Sequence, residues 1–290
     1  MKLFIIVAVL LPLCHSKMED AYLAPSVFLN HGGGPYPVLR EKYNVEIGDS
    51  LKNVSNFVDL SRLKAIIIVT AHREEEVVTI SSGERHSLLY DYYNFPPESY
   101  EFKYDAPGDP ELAGKIHEAF RNAGIESALD DKRGWDHGVF IPMMLINPKA
   151  DIPIIQISIL KNQNAAQHYE IGKVLYQFRK DAVAIFGSGL SYHNMKEFKK
   201  ADPENEKEIV NVDFDNFLND VCTGDEENRK KIIFWDQEKG GLDCHPLGEA
   251  DHLMPLIVNA GAAGTRPGKK IFESVFLGKF KLSGFMWDEK

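Results

Sequence analysis

The chain is poor in cysteine, has few long apolar runs and carries no excess of basic charge. Three cysteines in 290 residues are too few for a disulfide framework, and Cys222 and Cys244 lack the close pairing of a zinc knuckle. The apolar stretch Leu3 to Leu13 is interrupted by Pro12 and falls short of the roughly 20 residues that span a bilayer. Lys and Arg total 33 against 43 Asp and Glu, a net charge of -10, which disfavours a nucleic-acid partner. No repeat of helical length and no Pro/Ser/Gly-rich linker divides the sequence. That argues against a solenoid and for one domain, expected over residues 24–288.

The N-terminus differs from the rest. Met1-Lys2, the apolar stretch and Cys14-His15-Ser16 precede the polar Lys17-Met18-Glu19-Asp20. This order reads as a cleaved signal peptide over residues 1–16, and therefore as a secreted protein without a membrane span. Cys222 and Cys244 then remain, either as one disulfide or as two free thiols.

What the chain does have is a set of histidines among small, turn-forming residues. His31 opens Asn30-His31-Gly32-Gly33-Gly34-Pro35, and His72 ends Ile66-Ile67-Ile68-Val69-Thr70-Ala71-His72. His137 lies in Trp135-Asp136-His137-Gly138, His193 follows Gly187-Ser188-Gly189-Leu190-Ser191-Tyr192, and His252 lies in Asp251-His252-Leu253-Met254-Pro255. Several follow a predicted buried strand, which is where an α/β fold gathers its chemistry. Imidazole is the commonest metal ligand, so the pattern points to a metal enzyme. Spacing alone leaves non-haem Fe(II) and catalytic zinc both open. His86, His117, His168 and His245 read as structural or surface residues.

Strands are predicted at 25–30, 63–70, 74–82, 152–159, 182–187 and 272–287. Helices are predicted at 37–57, 110–123, 139–145, 165–181, 203–221 and 252–263. The alternation predicts an α/β sandwich, a single domain with a central sheet flanked by helices. The segment 84–110, with Leu89-Tyr90-Asp91-Tyr92-Tyr93-Asn94-Phe95, is expected to be irregular and to wrap a pocket. Tyr90, Tyr92, Tyr93 and Phe95 either wall a planar substrate there or serve ordinary loop packing.

Taken in order, Asn30-His31-Gly32-Gly33-Gly34, Thr70-Ala71-His72, Gly134-Trp135-Asp136-His137-Gly138, Gly187-Ser188-Gly189 with His193-Asn194, and Asp251-His252-Leu253-Met254-Pro255-Leu256 resemble the class III extradiol ring-cleavage dioxygenases. The branch they resemble most is the 4,5-DOPA extradiol dioxygenase type. The resemblance implies a mixed sheet with a mononuclear metal at one edge, held by His31, His72 and His252. Fe(II) is the expected cofactor, and Zn(II) suits the same site. His193 is implied as the acid/base residue that also lies near the metal, and His137 as a second active-site histidine donating to substrate oxygen. The implied partners are O2 and a small aromatic diol, a DOPA-like catechol. A group titrating near pH 7 at His193 would suit proton removal and return.

Two departures stand out. The first loop carries an extra glycine before Pro35, and Arg73 follows His72 where the family carries an aromatic residue. Arg73 is expected to pair with Glu74-Glu75-Glu76, the alternative being a substrate carboxylate. A non-enzymatic binding protein on the same fold and a zinc-dependent hydrolase remain as competing readings.

Overall fold

The computed structural model describes residues 22–205 and 208–288. The predicted signal peptide, residues 1–16, lies outside them. Eight strands occur among the described residues: β1 (Ser26–Asn30), β2 (Ala65–Glu75), β3 (Val78–Ser81), β4 (Ser127–Asp130), β5 (Ile154–Leu160), β6 (Val183–Gly189), β7 (Lys269–Phe276) and β8 (Phe280–Trp287). They form one sheet in the order β4-β3-β5-β2-β6-β1-β8-β7. The central strands β5, β2, β6 and β1 are mutually parallel. β3 joins antiparallel to β5, and β8 antiparallel to β1, so the sheet is mixed. Every residue of β1, β5 and β6 is buried, as expected for apolar, β-branched strands covered on both faces.

Alternation along β6 shows what covers each face, because neighbouring side chains point to opposite sides. The Ser188 hydroxyl donates to the carbonyl of Gly138, in helix His137–Ile146, at 2.5 Å. On the other face, Asn259 of helix Met254–Gly261 donates to the Ile185 carbonyl at 3.0 Å. A Cβ on Gly187 would run into Asn259, and one on Gly189 into the His252 carbonyl. The two glycines therefore let this helix and its preceding turn lie directly on the strand. Helix Ala165–Arg179 packs beside Met254–Gly261, with Gly172 and Gly261 at the close approach.

Arg179 closes the layers. It is fully buried and donates to the carbonyls of Ala24, Ala262, Ala263 and Trp287 at 2.6 to 2.9 Å. It thereby ties the start of the first strand segment, the end of a helix and the end of β8. His168 anchors the other end of the same helix. Its Nε2 accepts from Leu160 N at 2.9 Å, and its Nδ1 lies 2.7 Å from the Asn164 carbonyl. Since that carbonyl only accepts, Nδ1 is the protonated nitrogen. Burial pushes the His168 pKa down to about 4.

Several predicted bounds shift. The helix expected at 37–57 breaks into a turn at Tyr36–Leu39, a short 3-10 segment and helix Val45–Asn53. The break falls at Arg40, whose φ of 56° is left-handed and ends a helix. β4 was not anticipated: it has four partly exposed residues at the sheet edge, too few for an alternation to register. The helix predicted from 203 begins at Val212. Cys222 and Cys244 are buried free thiols, which settles the pairing left open by the sequence. No helix among the described residues is long and apolar enough to cross a membrane.

Two stability predictions follow from these anchors. Arg179→Met leaves carbonyl acceptors buried without their donor and is expected to cost about 3 kcal/mol or more, at roughly 1–3 kcal/mol per unsatisfied group, read as a lowered urea midpoint. The depressed pKa of His168 means that the unfolded chain takes up its proton first as the pH falls. Its contribution is thus complete above pH 6.5 and lost towards pH 4, a change on the order of 3 kcal/mol. Urea titrations across that window should show a shallower acid loss for His168→Gln than for the parent.

Candidate metal centre

The parallel strands deliver the histidines to one edge. In register, Asn30 at the end of β1 lies opposite Gly189 at the end of β6, and Thr70 of β2 lies opposite Ser188. His31 directly follows β1. His72 sits in β2 where the pairing with β5 shifts between Thr70 and Glu74, an irregularity of the kind that re-aims a side chain. His193 follows β6, His137 is the first residue of helix His137–Ile146, and His252 lies in the turn before helix Met254–Gly261. All five stand at the carboxyl ends of the central strands, the usual ligand position in such sheets.

Their rings form one cluster. The Nε2 atoms of His31 and His72 are 3.1 Å apart. Ring centroids of His31, His72 and His252 are mutually separated by 4.9, 4.8 and 5.1 Å. Three imidazoles on one ion, with metal–nitrogen distances of about 2.1 Å and angles between 90° and 109°, would place centroids roughly 4.5 to 5.2 Å apart. The observed centroid triangle has that spacing. His137 stands closer to His72, at 3.9 Å, and farther from His31, at 5.5 Å. His193 stacks on His252 at 3.5 Å with planes 16° apart. Grouped by ligand atoms within 4.8 Å of one another, the residues divide into His31, His72 and His137, and into His193, Asp251 and His252. Geometry thus gathers all five predicted residues and brings His137 as near the first pair as His252.

The outer nitrogens fix the tautomers. The Ser188 hydroxyl spends its proton on Gly138, so His31 Nδ1–H donates to Ser188 Oγ at 2.9 Å and its Nε2 is bare. His252 Nδ1 lies 2.7 Å from Asp251, and His137 Nδ1 2.9 Å from Asp91, an acceptor that also takes the His137 backbone N–H at 2.8 Å. Such outer carboxylates orient metal-binding imidazoles and raise their basicity. Burial first, and the neighbouring imidazoles second, hold His31, His72 and His252 well below the usual histidine range. They are neutral at physiological pH, as metal ligands must be. Burial likewise pushes His193 down to about 3, with His252 the next cause. The expectation that it titrates near pH 7 is not met: in this pocket the charged form is too poorly solvated.

Asp136 holds the frame behind the cluster. Fully buried, it accepts from Thr70 Oγ1 at 2.8 Å, from Arg133 at 2.9 Å and from Gln156. Arg133 also donates to the His72 carbonyl at 3.0 Å. This knot joins β2 and β5 to the turn that carries His137.

Comparison with known proteins agrees with this geometry. The family model described as the catalytic LigB subunit of aromatic ring-opening dioxygenase matches residues 25–280. The chain belongs to the LigB family. It is 37% identical over 271 residues to the dioxygenase tasH of Hapsidospora irregularis, covering 88% of this chain and 83% of that one. It is 32% identical to the 4,5-DOPA dioxygenase extradiol of Mirabilis jalapa, covering 83% and 87% of the two chains. It is 28% identical to the protein of the same description from Escherichia coli K12, covering 93% and 97%. A crystal structure of an Escherichia coli K12 protein superposes with a TM-score of 0.73 at 26% identity, covering 91% of this chain and 99% of that one.

In this LigB chain the cluster floors a cavity of about 240 Å³, lined by His31, Gly32, Gly33, Gly34, Tyr36, His72, Phe95, His137, Leu190, His193, Met195, Phe198, His252 and Phe276. Of the four aromatic residues that the sequence left open between substrate wall and loop packing, Phe95 lines the cavity and the three tyrosines do not. Tyr93 is 81% exposed. Tyr90 and Tyr92 spend their hydroxyls on the carbonyls of Phe102 and Ser99, at 2.6 Å each, and Tyr92 packs behind His137. Arg73 does not line the cavity; it is 2% exposed and pairs with Asp130 at 2.6 Å and Glu75 at 3.3 Å. His86, His117, His168 and His245 each hydrogen-bond locally outside the cluster. Sequence reasoning missed Asp91, whose only signal was a lone acid within an aromatic run, and the wall of Phe198 and Phe276.

Metal affinity should report these roles directly. His31→Ala and His72→Ala are expected to abolish tight binding of Fe(II) or Zn(II). Asp91→Asn and Asp251→Asn should each weaken it about 10- to 100-fold. Competition against a chromophoric chelator measures both effects.

Proposed function

We propose that this LigB-family protein is an extradiol ring-cleavage dioxygenase, which inserts both atoms of O2 into a catechol at a mononuclear non-haem iron. The observation that carries the reading is the even triangle of His31, His72 and His252 with two further histidines on the same cavity floor. These three are the proposed ligands, with His193 beside them, and Zn(II) fits the same nitrogens. When bound, Fe(II) supplies chelation of the two catechol oxygens and a route for electron density from the ring to O2. The ring provides all the electrons, so product equals substrate plus O2 with no external reductant.

The protein's own residues move the protons. His193, neutral and lining the cavity, accepts a catechol hydroxyl proton, the negative charge left on the catechol oxygen raising its proton affinity above that in the empty pocket, and returns it as the ring opens. His137 takes the donor role that the resemblance implies. Its Nδ1–H is committed to Asp91, which braces the ring and leaves Nε2 as the atom that donates to developing negative charge. The apolar wall keeps bulk water from the reacting oxygens.

The test is anaerobic iron reconstitution of the chain, followed by O2 and a catechol panel, recording oxygen uptake and the visible absorbance of a ring-opened semialdehyde. Stoichiometric uptake with a yellow product is expected. His193→Ala should keep its metal and lose about 100-fold or more in turnover. Iron bound at one per chain without uptake on any catechol would remove the dioxygenase reading in favour of a binding protein or a zinc hydrolase.

A further inference from the structure

The cavity wall is as informative as its floor. Gly32 to Gly34 contribute no side chains, and the ring of Phe95 lies across the loop: a Cβ on Gly34 would meet it at 3.0 Å. Two edge-to-face pairs belong to the lining, Tyr36 with Phe95 at 4.8 Å and Phe198 with Phe276 at 5.4 Å. Leu190 and Met195 complete the lining. Among the described residues, no Lys or Arg lines this cavity. The two arginines that sequence or geometry brings nearest are both engaged elsewhere, Arg73 with Asp130 and Glu75 and Arg133 with Asp136 and the His72 carbonyl. The carboxylates closest to the cluster, Asp91 and Asp251, stand behind His137 and His252 and are engaged by them.

Size adds a second constraint. A cavity of about 150 Å³ takes benzene, so about 240 Å³ holds a dihydroxybenzene with its short substituent inside the lining. An ionised group on that substituent would be desolvated against aromatic and aliphatic carbon with no counter-charge, which is strongly unfavourable. We infer that the substrate is a catechol whose ring substituent is uncharged and apolar, held against the Tyr36–Phe95 and Phe198–Phe276 pairs. The inference rests on the catechol reading above and narrows it: the DOPA-like side chain, with its carboxylate and ammonium, does not suit this wall.

Equilibrium binding separates the two claims. The full chain, loaded with Fe(II) and kept anaerobic, is titrated calorimetrically with 4-methylcatechol, 3,4-dihydroxyphenylacetate, dopamine and DOPA. 4-Methylcatechol is expected to bind at least 10-fold more tightly than each of the three charged analogues. Met195→Arg, which puts a cation into the lining at a partly exposed position, should shift the preference at least 10-fold towards 3,4-dihydroxyphenylacetate relative to 4-methylcatechol. Equal or tighter binding of 3,4-dihydroxyphenylacetate, dopamine or DOPA by the parent chain overturns the inference, as does failure of all four to bind. Admission of O2 afterwards tests the other claim. Tight 4-methylcatechol binding without oxygen uptake removes ring cleavage and leaves the slot's selectivity standing, whereas uptake with DOPA preferred does the reverse.

Discussion

Five imidazoles can share one buried floor only if they are not charged together. His31, His72 and His252 are held neutral because burial and mutual repulsion both penalise the proton. Neutrality alone would leave their tautomers undecided. The outer partners decide two of them: Ser188 for His31 and Asp251 for His252 each take an Nδ1–H and turn a bare Nε2 away from themselves, and Asp91 takes the Nδ1–H of His137. A crowd of buried polar groups, costly if unpaired, becomes a ready set of metal donors.

The rest of the fold serves that arrangement. Parallel strands place their carboxyl ends at one edge, so residues distant in sequence meet without long loops. Gly187 and Gly189 remove the side chains that would hold the His252 turn off the sheet. Ser188, between them, points to the opposite face and bridges His31 to the helix that begins at His137. Alternation along three residues of one strand thus brings together elements from both layers. Asp136 and Arg179 work farther out, each gathering segments from several parts of the chain through buried hydrogen bonds. Cavity and cluster are also coupled by shape: the histidines supply the polar floor, and the aromatic pairs exclude water above it.

The sequence by itself determined the α/β class, the buried central strands and the five histidines that the fold gathers around one cavity. Each of those signals is local: β-branched runs, a histidine at a strand end, glycines where backbone must approach backbone. Of the two partners of Arg73 the sequence pointed to Glu75, two residues away, while the shorter pair, with Asp130, came from the fold. Tertiary structure decided the remainder. The edge strand β4 was too short to carry a pattern. Asp91 is 46 residues from His137, and no periodicity links them. Which aromatic residues face the cavity depended on where the irregular segment after β3 folds back, so Tyr90 and Tyr92 became packing and Phe198 and Phe276 became wall. The proton affinity of His193 was likewise beyond the sequence, because a pKa is set by the solvent and charges around a group, and those exist only once the chain has closed around it.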